Sequence, residues 1–164
     1  MTMNARMVID DYYKGNVVLP IDVIGIANSQ GIEVFRACFE GVFKEDVFGF
    51  IEKNGDNKVR IYVNMDNAPV RRRFTIAHEL GHYFLHHKDK KELKYIDLRS
   101  TRRTKEEVEA NKFAAELLMP EKELREEYEK LMFPTIDSLA DTFGVSNQAM
   151  KFRLSNLGLS VLDA

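Results

Sequence analysis

The sequence is poor in cysteine and tryptophan and has no long hydrophobic run. It contains one cysteine, Cys38, and no tryptophan among its 164 residues. A single cysteine excludes an internal disulfide framework and is typical of a reducing compartment. No stretch of about 18 apolar residues is present, so we expect no segment that spans a membrane. The N-terminal stretch MTMNARMVIDDYYKG has no apolar core of signal-peptide length. We therefore expect a cytoplasmic protein.

The chain also lacks a strong net charge. Its 24 basic and 26 acidic residues give a net charge of -2, so the protein as a whole is not drawn to nucleic acid or to anionic membranes. Two local basic clusters are present, which we interpret either as solvated loops or as surfaces for phosphates or acidic partners. The clusters are Arg71, Arg72 and Arg73, and then Arg99, Arg102, Arg103 and Lys105.

The hydrophobic pattern predicts an α+β fold. Short helices are predicted over residues 3–14 and 20–31, followed by three strands, GIEVFRACFEGVF, VFGFIEK and KVRIYVN. We expect these strands to form a small three-stranded antiparallel sheet, because the turn sequence NGDN joins the last two. Helical spacing returns over residues 71–87 and, after a polar loop over residues 88–103, from Thr104 to Pro120. Thr104 and Glu107 match a capping box, T-x-x-E, at the start of that last helix.

The remaining residues predict a helical segment, so we divide the chain into a domain of residues 1–120 and a C-terminal segment of residues 121–164. Two of its short helices flank Gly144 with a spacing that resembles a helix-turn-helix. In a DNA reader, Asn147, Gln148 and Lys151 would face the groove. The same helices could equally form a structural cap or dock a partner protein. The near-neutral net charge makes DNA contact the less favoured of these interpretations.

The four histidines all lie within one predicted helix, RRRFTIAHELGHYFLHH. His78 and His82 are one helical turn apart, so both rings can point at one ion at the bond length of about 2.0–2.1 Å that zinc requires. Glu79 cannot easily share that ion, but it can reach a water molecule beside it. This H-E-x-x-H pattern is typical of zinc hydrolases and predicts a Zn²⁺ site with Glu79 as the general base.

The neighbours of this motif have less specific interpretations. We interpret His86 as a packing or supporting residue and His87 as exposed. Tyr83 is a weak catalytic candidate, because a tyrosine hydroxyl can stabilise an oxyanion. Its helical spacing with Leu80 and Phe84 favours simple packing.

A catalytic zinc ion needs a third protein ligand. The metzincin pattern requires glycine and histidine where this sequence has Leu85 and Lys88, so that class is excluded. Cys38 lies in a predicted strand and is treated as a core residue.

We assign Glu107 to the helix cap. Glu109 lies at helical spacing from Phe113 and Leu117, on the edge of the apolar stripe, and is the preferred third ligand. The candidates considered are Glu106, Glu107, Glu109 and Glu116.

The stretches RRFTIAHELGHYFLH and EANKFAAELLMP resemble the two signature blocks of the ImmA/IrrE family of bacterial metallopeptidases. The resemblance extends over residues 20–120. It implies zinc held by the histidines of the first block and by a glutamate that opens the second block, where Glu109 matches. It also implies a site-specific endopeptidase that cleaves a helix-turn-helix transcriptional repressor.

Other functions remain open. The protein could be a non-catalytic regulator that is stabilised by its metal and binds a partner protein or DNA through the C-terminal helices. It could also be the toxin of a toxin–antitoxin pair that needs the same metal site. For a peptidase, an exposed edge strand, either KVRIYVN or GIEVFRACF, could pair with an extended substrate.

Overall fold

The computed structural model describes residues 2–41, 47–87, 93–98 and 104–162, with the backbone alone at residues 87 and 93–98. In these residues the predicted α+β class is confirmed. The elements in chain order are α1 (Ala5–Tyr13), α2 (Val23–Ser29), β1 (Ile32–Ala37), β2 (Val47–Lys53), β3 (Val59–Asn64), α3 (Pro69–His82), a π-helical turn (Tyr83–His87), β4 (Leu93–Leu98), α4 (Lys105–Leu118), α5 (Glu121–Lys130), α6 (Ile136–Phe143) and α7 (Asn147–Asn156).

The described strands form a four-stranded mixed sheet in the order β1-β3-β2-β4. β2 and β3 form the predicted antiparallel hairpin, in which Ile51 lies opposite Ile61. The three-stranded antiparallel sheet is otherwise corrected in two ways. β1 runs parallel to β3, and β4 adds to the other side of β2 from a stretch that was expected to be a loop. The segment KVRIYVN is therefore central, while GIEVFRACF supplies the edge strand β1.

α3 packs across β2 and β3 at close range. A Cβ atom added to Gly49 of β2 would lie 2.7 Å from the methyl carbon of Thr75 on α3, so only glycine leaves room for the helix at this point. The sheet, α3 and α4 bury their apolar side chains in one hydrophobic core. Its members include Ile51, Ile61, Val63, Ile76, Leu80, Ala114 and Leu117.

The C-terminal helices contribute to the same core. Leu139, Phe143 and Leu154 belong to the cluster that contains the side chains of α3 and α4. The Arg153 guanidinium donates a hydrogen bond of 2.9 Å to the carbonyl oxygen of Met119, just after α4. Residues 121–162 are therefore held against the rest of the chain by apolar and polar contacts. Among the described residues, no helix is both long and apolar enough to cross a membrane.

Candidate metal centre

The HELGH segment lies in the second half of α3, on the side of the helix that faces the protein interior. α3 begins at Pro69, a residue favoured in the first turn because its missing N–H would have no partner there. His78, Glu79 and His82 are 2%, 0% and 0% exposed. It is unusual for three polar side chains to be buried within one and a half turns of a helix. Polar groups in a protein interior need hydrogen-bonding or ionic partners.

α4 brings a carboxylate to the two histidines. The helix is capped by Thr104, whose hydroxyl oxygen accepts a hydrogen bond of 3.2 Å from the backbone N–H of Glu107. This contact is the first half of the predicted capping box. The Glu107 carboxylate, however, contacts the histidines of α3. The cap therefore occupies the backbone of Glu107 and leaves its side chain available.

The three side chains converge on one point. His82 Nε2 lies 3.0 Å from Glu107 Oε1 and 3.1 Å from His78 Nε2, and His78 Nε2 lies 3.2 Å from Glu107 Oε2. A tetrahedral zinc ion with bonds of about 2.0–2.1 Å holds its ligand atoms roughly 3.3–3.4 Å apart. The observed spacing is within a few tenths of an ångström of that value. Two imidazoles and one carboxylate are also a ligand set of catalytic zinc sites, so the residues fit a zinc ion.

The two histidines favour the ionised form of Glu107. Burial alone raises the pKa of this carboxyl group, but its hydrogen bonds and charge interactions with His78 and His82 outweigh burial and hold the pKa below the usual 4.5. Glu107 is therefore an anion over the pH range in which proteins normally work. A carboxylate must be in this form to bind a cation.

Glu109, the predicted third ligand, does not lie in this cluster. Its carboxylate is partly exposed and pairs with His86, with 3.3 Å between His86 Nε2 and Glu109 Oε2. The Lys105 ammonium lies 3.7 Å from its other oxygen. Residues two positions apart on a helix point about 160° away from each other, so Glu107 and Glu109 cannot both face α3. The structure therefore brings Glu107, and not Glu109, beside the two histidines.

The sequence holds a signal that favours Glu107. The buried positions of α4 include Ala110, Ala114 and Leu118 as well as Phe113 and Leu117. At 100° per residue, Glu107 lies about 50° from the centre of that full stripe, whereas Glu109 lies about 110° from it. Counting only the two large side chains, Phe113 and Leu117, puts Glu109 about 60° and Glu107 about 100° from the centre, and so favours Glu109. Assigning the Glu107 side chain to the cap then excluded the residue that the structure brings to the histidines.

The other predicted site residues have distinct positions. Glu79 is fully buried and, one residue beyond His78, points about 100° around the helix from it. Tyr83 is 9% exposed and its ring packs edge-on against Phe84, with 5.2 Å between ring centroids. This position agrees with the packing interpretation of Tyr83. The side chain of His87 lies outside the described residues.

The first basic cluster makes contacts within the protein. The Arg71 guanidinium lies over the Phe48 ring at 4.6 Å from its centroid. Arg72 donates to the carbonyl oxygens of Met65 and Asn67, and Arg73 donates to those of Ile21, Phe143 and Gly144. Arg72 and Arg73 therefore brace the start of α3. Of the second cluster, Arg99, Arg102 and Arg103 lie outside the described residues.

Comparison with known proteins identifies relatives. A family model described as the IrrE N-terminal-like domain (peptidase M78) matches residues 27–155. Metallopeptidase ImmA of Bacillus subtilis (strain 168) is 35% identical over 85 residues, which are 52% of this chain and 50% of that protein. The chain thus spans about half the length of the curated relative it matches. The region that matches the family model includes α3 and α4, and hence all three residues of the cluster.

Proposed function

We propose that this chain, which belongs to the ImmA/IrrE family of metallopeptidases, is a zinc-dependent endopeptidase. One observation carries the proposal: two imidazole nitrogens lie 3.1 Å apart, and each is within 3.2 Å of one oxygen of the buried Glu107 carboxylate. His78, His82 and Glu107 would hold the metal. A bound zinc ion supplies Lewis acidity, which polarises a peptide carbonyl group and makes a water molecule more acidic.

The proposed reaction is the hydrolysis of one peptide bond. The oxygen of a water molecule forms a bond to the carbonyl carbon, and the bond from that carbon to the amide nitrogen breaks. Glu79 is the proposed general base: it takes a proton from the water and passes it to the leaving nitrogen. Its complete burial separates this proton from bulk water.

The proposed substrate is a helix-turn-helix transcriptional repressor, the substrate class that the family resemblance implies. The sheet offers a means of binding an extended segment of such a protein. β1 lies at one end of the strand order, with β3 on one side of it. An edge strand can hydrogen-bond to the backbone of a peptide in extended form. Phe35 of β1 is 42% exposed and stacks on Tyr62, so it could contact an apolar side chain of that peptide.

The experiment that tests the proposal separates metal binding from proton transfer. Glu79→Gln keeps the size of the side chain but removes its basic oxygen. We expect this variant to bind zinc as the wild type does and to cleave its proposed helix-turn-helix repressor substrate at least about 100-fold more slowly. Zinc content and thermal melting are measured on the same preparation, so that a folding defect is recognised. Cleavage at the wild-type rate by the folded variant would refute the mechanism.

Glu109→Gln is the matched control. It makes the same chemical change in a carboxylate that pairs with His86 outside the three-residue cluster. We expect Glu109→Gln to keep both zinc and cleavage. A loss of cleavage in both variants would mean that activity responds to the loss of any nearby carboxylate. The proposed role of Glu79 as general base would then be refuted.

The C-terminal helices support a second candidate function, a regulator that binds a partner protein. A cavity of about 600 Å³ lies beside α6 and α7, lined in part by Gln148, Lys151, Phe152 and Leu162. Phe152 is 67% exposed there. DNA binding is less well supported, because Asp137 lies 2.5 Å from the amide of Asn147 and its charge would repel phosphates. Under the regulator hypothesis Phe152→Ser abolishes function and Glu79→Gln does not. The peptidase hypothesis predicts the reverse for Glu79→Gln.

A further inference from the structure

Asn111 of α4 contacts the outer nitrogen of one proposed zinc ligand. Its side-chain oxygen lies 2.8 Å from His78 Nδ1, while His78 Nε2 faces Glu107 and His82. We propose that Asn111 is a positioning residue, whose side-chain oxygen accepts a hydrogen bond from Nδ1–H of His78 and so leaves Nε2 directed at the metal position. This inference rests on the proposed metal role of His78.

The protonation pattern of His78 decides whether the cluster can accept a cation. A neutral imidazole carries its proton on one nitrogen and a lone pair on the other. If the proton were on Nε2, it would point into the space between His82 and Glu107, and His78 could not bind a metal. An acceptor at Nδ1 stabilises the other tautomer and also fixes the rotation of the ring.

α4 supplies the ligand and the positioning residue together. Asn111 follows Glu107 by four residues, so both side chains project from nearly the same side of the helix, one turn apart. Glu107 contacts both histidines, and Asn111 reaches the far side of the His78 ring. A single helix thus holds one imidazole from two directions.

A purely structural role for Asn111 is a poor alternative. The residue is exposed and lies within α4, where asparagine is a weaker helix former than alanine. Its replacement by alanine removes little buried surface and favours the helix. If Asn111 served the fold alone, Asn111→Ala would be neutral or mildly stabilising and would leave metal binding unchanged. The two roles therefore predict different results.

The first measurement is zinc affinity, determined by competition with a chromophoric chelator on the full chain. We expect Asn111→Ala to bind zinc about 10- to 100-fold more weakly than the wild type, the usual effect of losing a contact behind a metal ligand. The metal-free variant should melt at the same temperature as the wild type or slightly higher. Asn111→Asp should recover most of the affinity, because its carboxylate accepts the same N–H.

Lys112→Ala is the matched control, since Lys112 is the exposed neighbour of Asn111 and lies 4.0 Å from Glu116. It should bind zinc as the wild type does. Wild-type affinity in Asn111→Ala would overturn the proposal. Equal weakening in Asn111→Ala and Asn111→Asp would overturn it as well, because the proton acceptor would then be irrelevant.

The second measurement does not depend on zinc. Histidine ¹⁵N chemical shifts of the metal-free protein report which nitrogen of His78 carries the proton. We expect Nδ1 of His78 to carry a proton in the wild type and to be only partly protonated in Asn111→Ala; identical Nδ1 shifts in the two proteins would refute the positioning role. If the wild type binds no zinc, the peptidase proposal fails, and these shifts still decide whether Asn111 sets the tautomer.

Discussion

Gly81 of α3 faces the backbone of Ala110 of α4 with no room for a side chain between them. A Cβ atom added at Gly81 would lie 3.0 Å from the Ala110 carbonyl oxygen and 3.2 Å from the Cβ of Phe113. Gly81 precedes His82, and Ala110 lies between Glu107 and Asn111. The absence of a side chain at one position thus allows the helix that carries the carboxylate to approach the helix that carries the histidines.

We predict that Gly81→Ala weakens both the fold and the metal site. Alanine is favoured over glycine in a helix by about 1 kcal/mol. The new methyl group must nevertheless push α4 away by a few tenths of an ångström, and such overpacking costs about 1–3 kcal/mol. The displaced Glu107 should then bind zinc less tightly. Urea unfolding of the metal-free protein and zinc competition measure the two effects.

Gly55→Ala is the control for that substitution, because a Cβ atom at Gly55 would have nothing within 4 Å. It should match the wild type in both measurements. If Gly81→Ala were more stable than the wild type and kept full zinc affinity, the close approach of α3 and α4 would not be what holds the site together.

A second prediction concerns the identity of the carboxylate ligand. Glu107→Ala should lower zinc affinity by more than about 100-fold, which exceeds the usual effect of losing a supporting contact. Glu109→Ala removes only the pairing with His86 and Lys105, so its affinity should stay within a few-fold of wild type. Metal content after dialysis, followed by competition titration, ranks the two variants. The opposite ranking would return the role of third ligand to Glu109.

Features that depend on neighbouring residues in the chain could be predicted from the sequence. Thr104 caps α4, and Ser146 caps α7, because a hydroxyl group next to a helical pattern satisfies a free backbone N–H wherever that helix packs. The hairpin of β2 and β3 follows in the same way from alternating side chains on either side of a turn. His78 and His82 meet because their spacing equals one helical turn.

Features that depend on distant partners could not be predicted in this way. The alternation in β1 indicates which side chains are buried, but it does not say that β3 rather than β2 lies beside it, or in which direction. β4, LKYIDL, pairs with β2, but it lies within residues 88–103, a strongly charged stretch that favours a loop. The selection of Glu107 over Glu109 depends on how α4 is rotated against α3. The close contact at Gly81 helps to fix that rotation, and local spacing does not encode it.

A third prediction concerns Arg73, which links α3 to the turn between α6 and α7. Its guanidinium donates to the carbonyl oxygens of Gly144 at 3.0 Å and of Ile21 at 2.9 Å, and burial lowers the pKa of this arginine. Arg73→Met should lower the free energy of unfolding by about 1–3 kcal/mol, because these partly buried carbonyl groups lose their donor. Arg73→Lys should not restore the lost stability, since one ammonium group cannot reproduce the planar set of N–H donors of a guanidinium group.

Arg71→Met provides the comparison in the same cluster. Arg71 is exposed and stacks on Phe48, a contact worth about 0.5–1 kcal/mol at exposed sites. Chemical denaturation gives both values, and hydrogen exchange at Val145 and Ser146 reports loosening of the turn. Equal small effects for Arg71→Met and Arg73→Met would show that the carbonyl contacts of Arg73 contribute little to stability.

The last prediction follows from the lowered pKa of Glu107 and applies to the metal-free protein. Burial opposes ionisation of this carboxyl group, but its contacts with His78 and His82 outweigh burial, so its pKa in the folded protein is below 4.5. A group with a depressed pKa in the folded state stabilises the fold above its unfolded pKa, and this contribution is lost as the pH falls through the folded value. As the pH falls from about 5.5 to below the folded pKa, the stability advantage of the wild type over Glu107→Gln should therefore shrink. Urea midpoints across this range measure the difference, and Glu109→Gln, in which the cluster is intact, should follow the wild type. A difference between wild type and Glu107→Gln that stays constant down to the lowest pH would mean that the histidines do not stabilise the Glu107 anion.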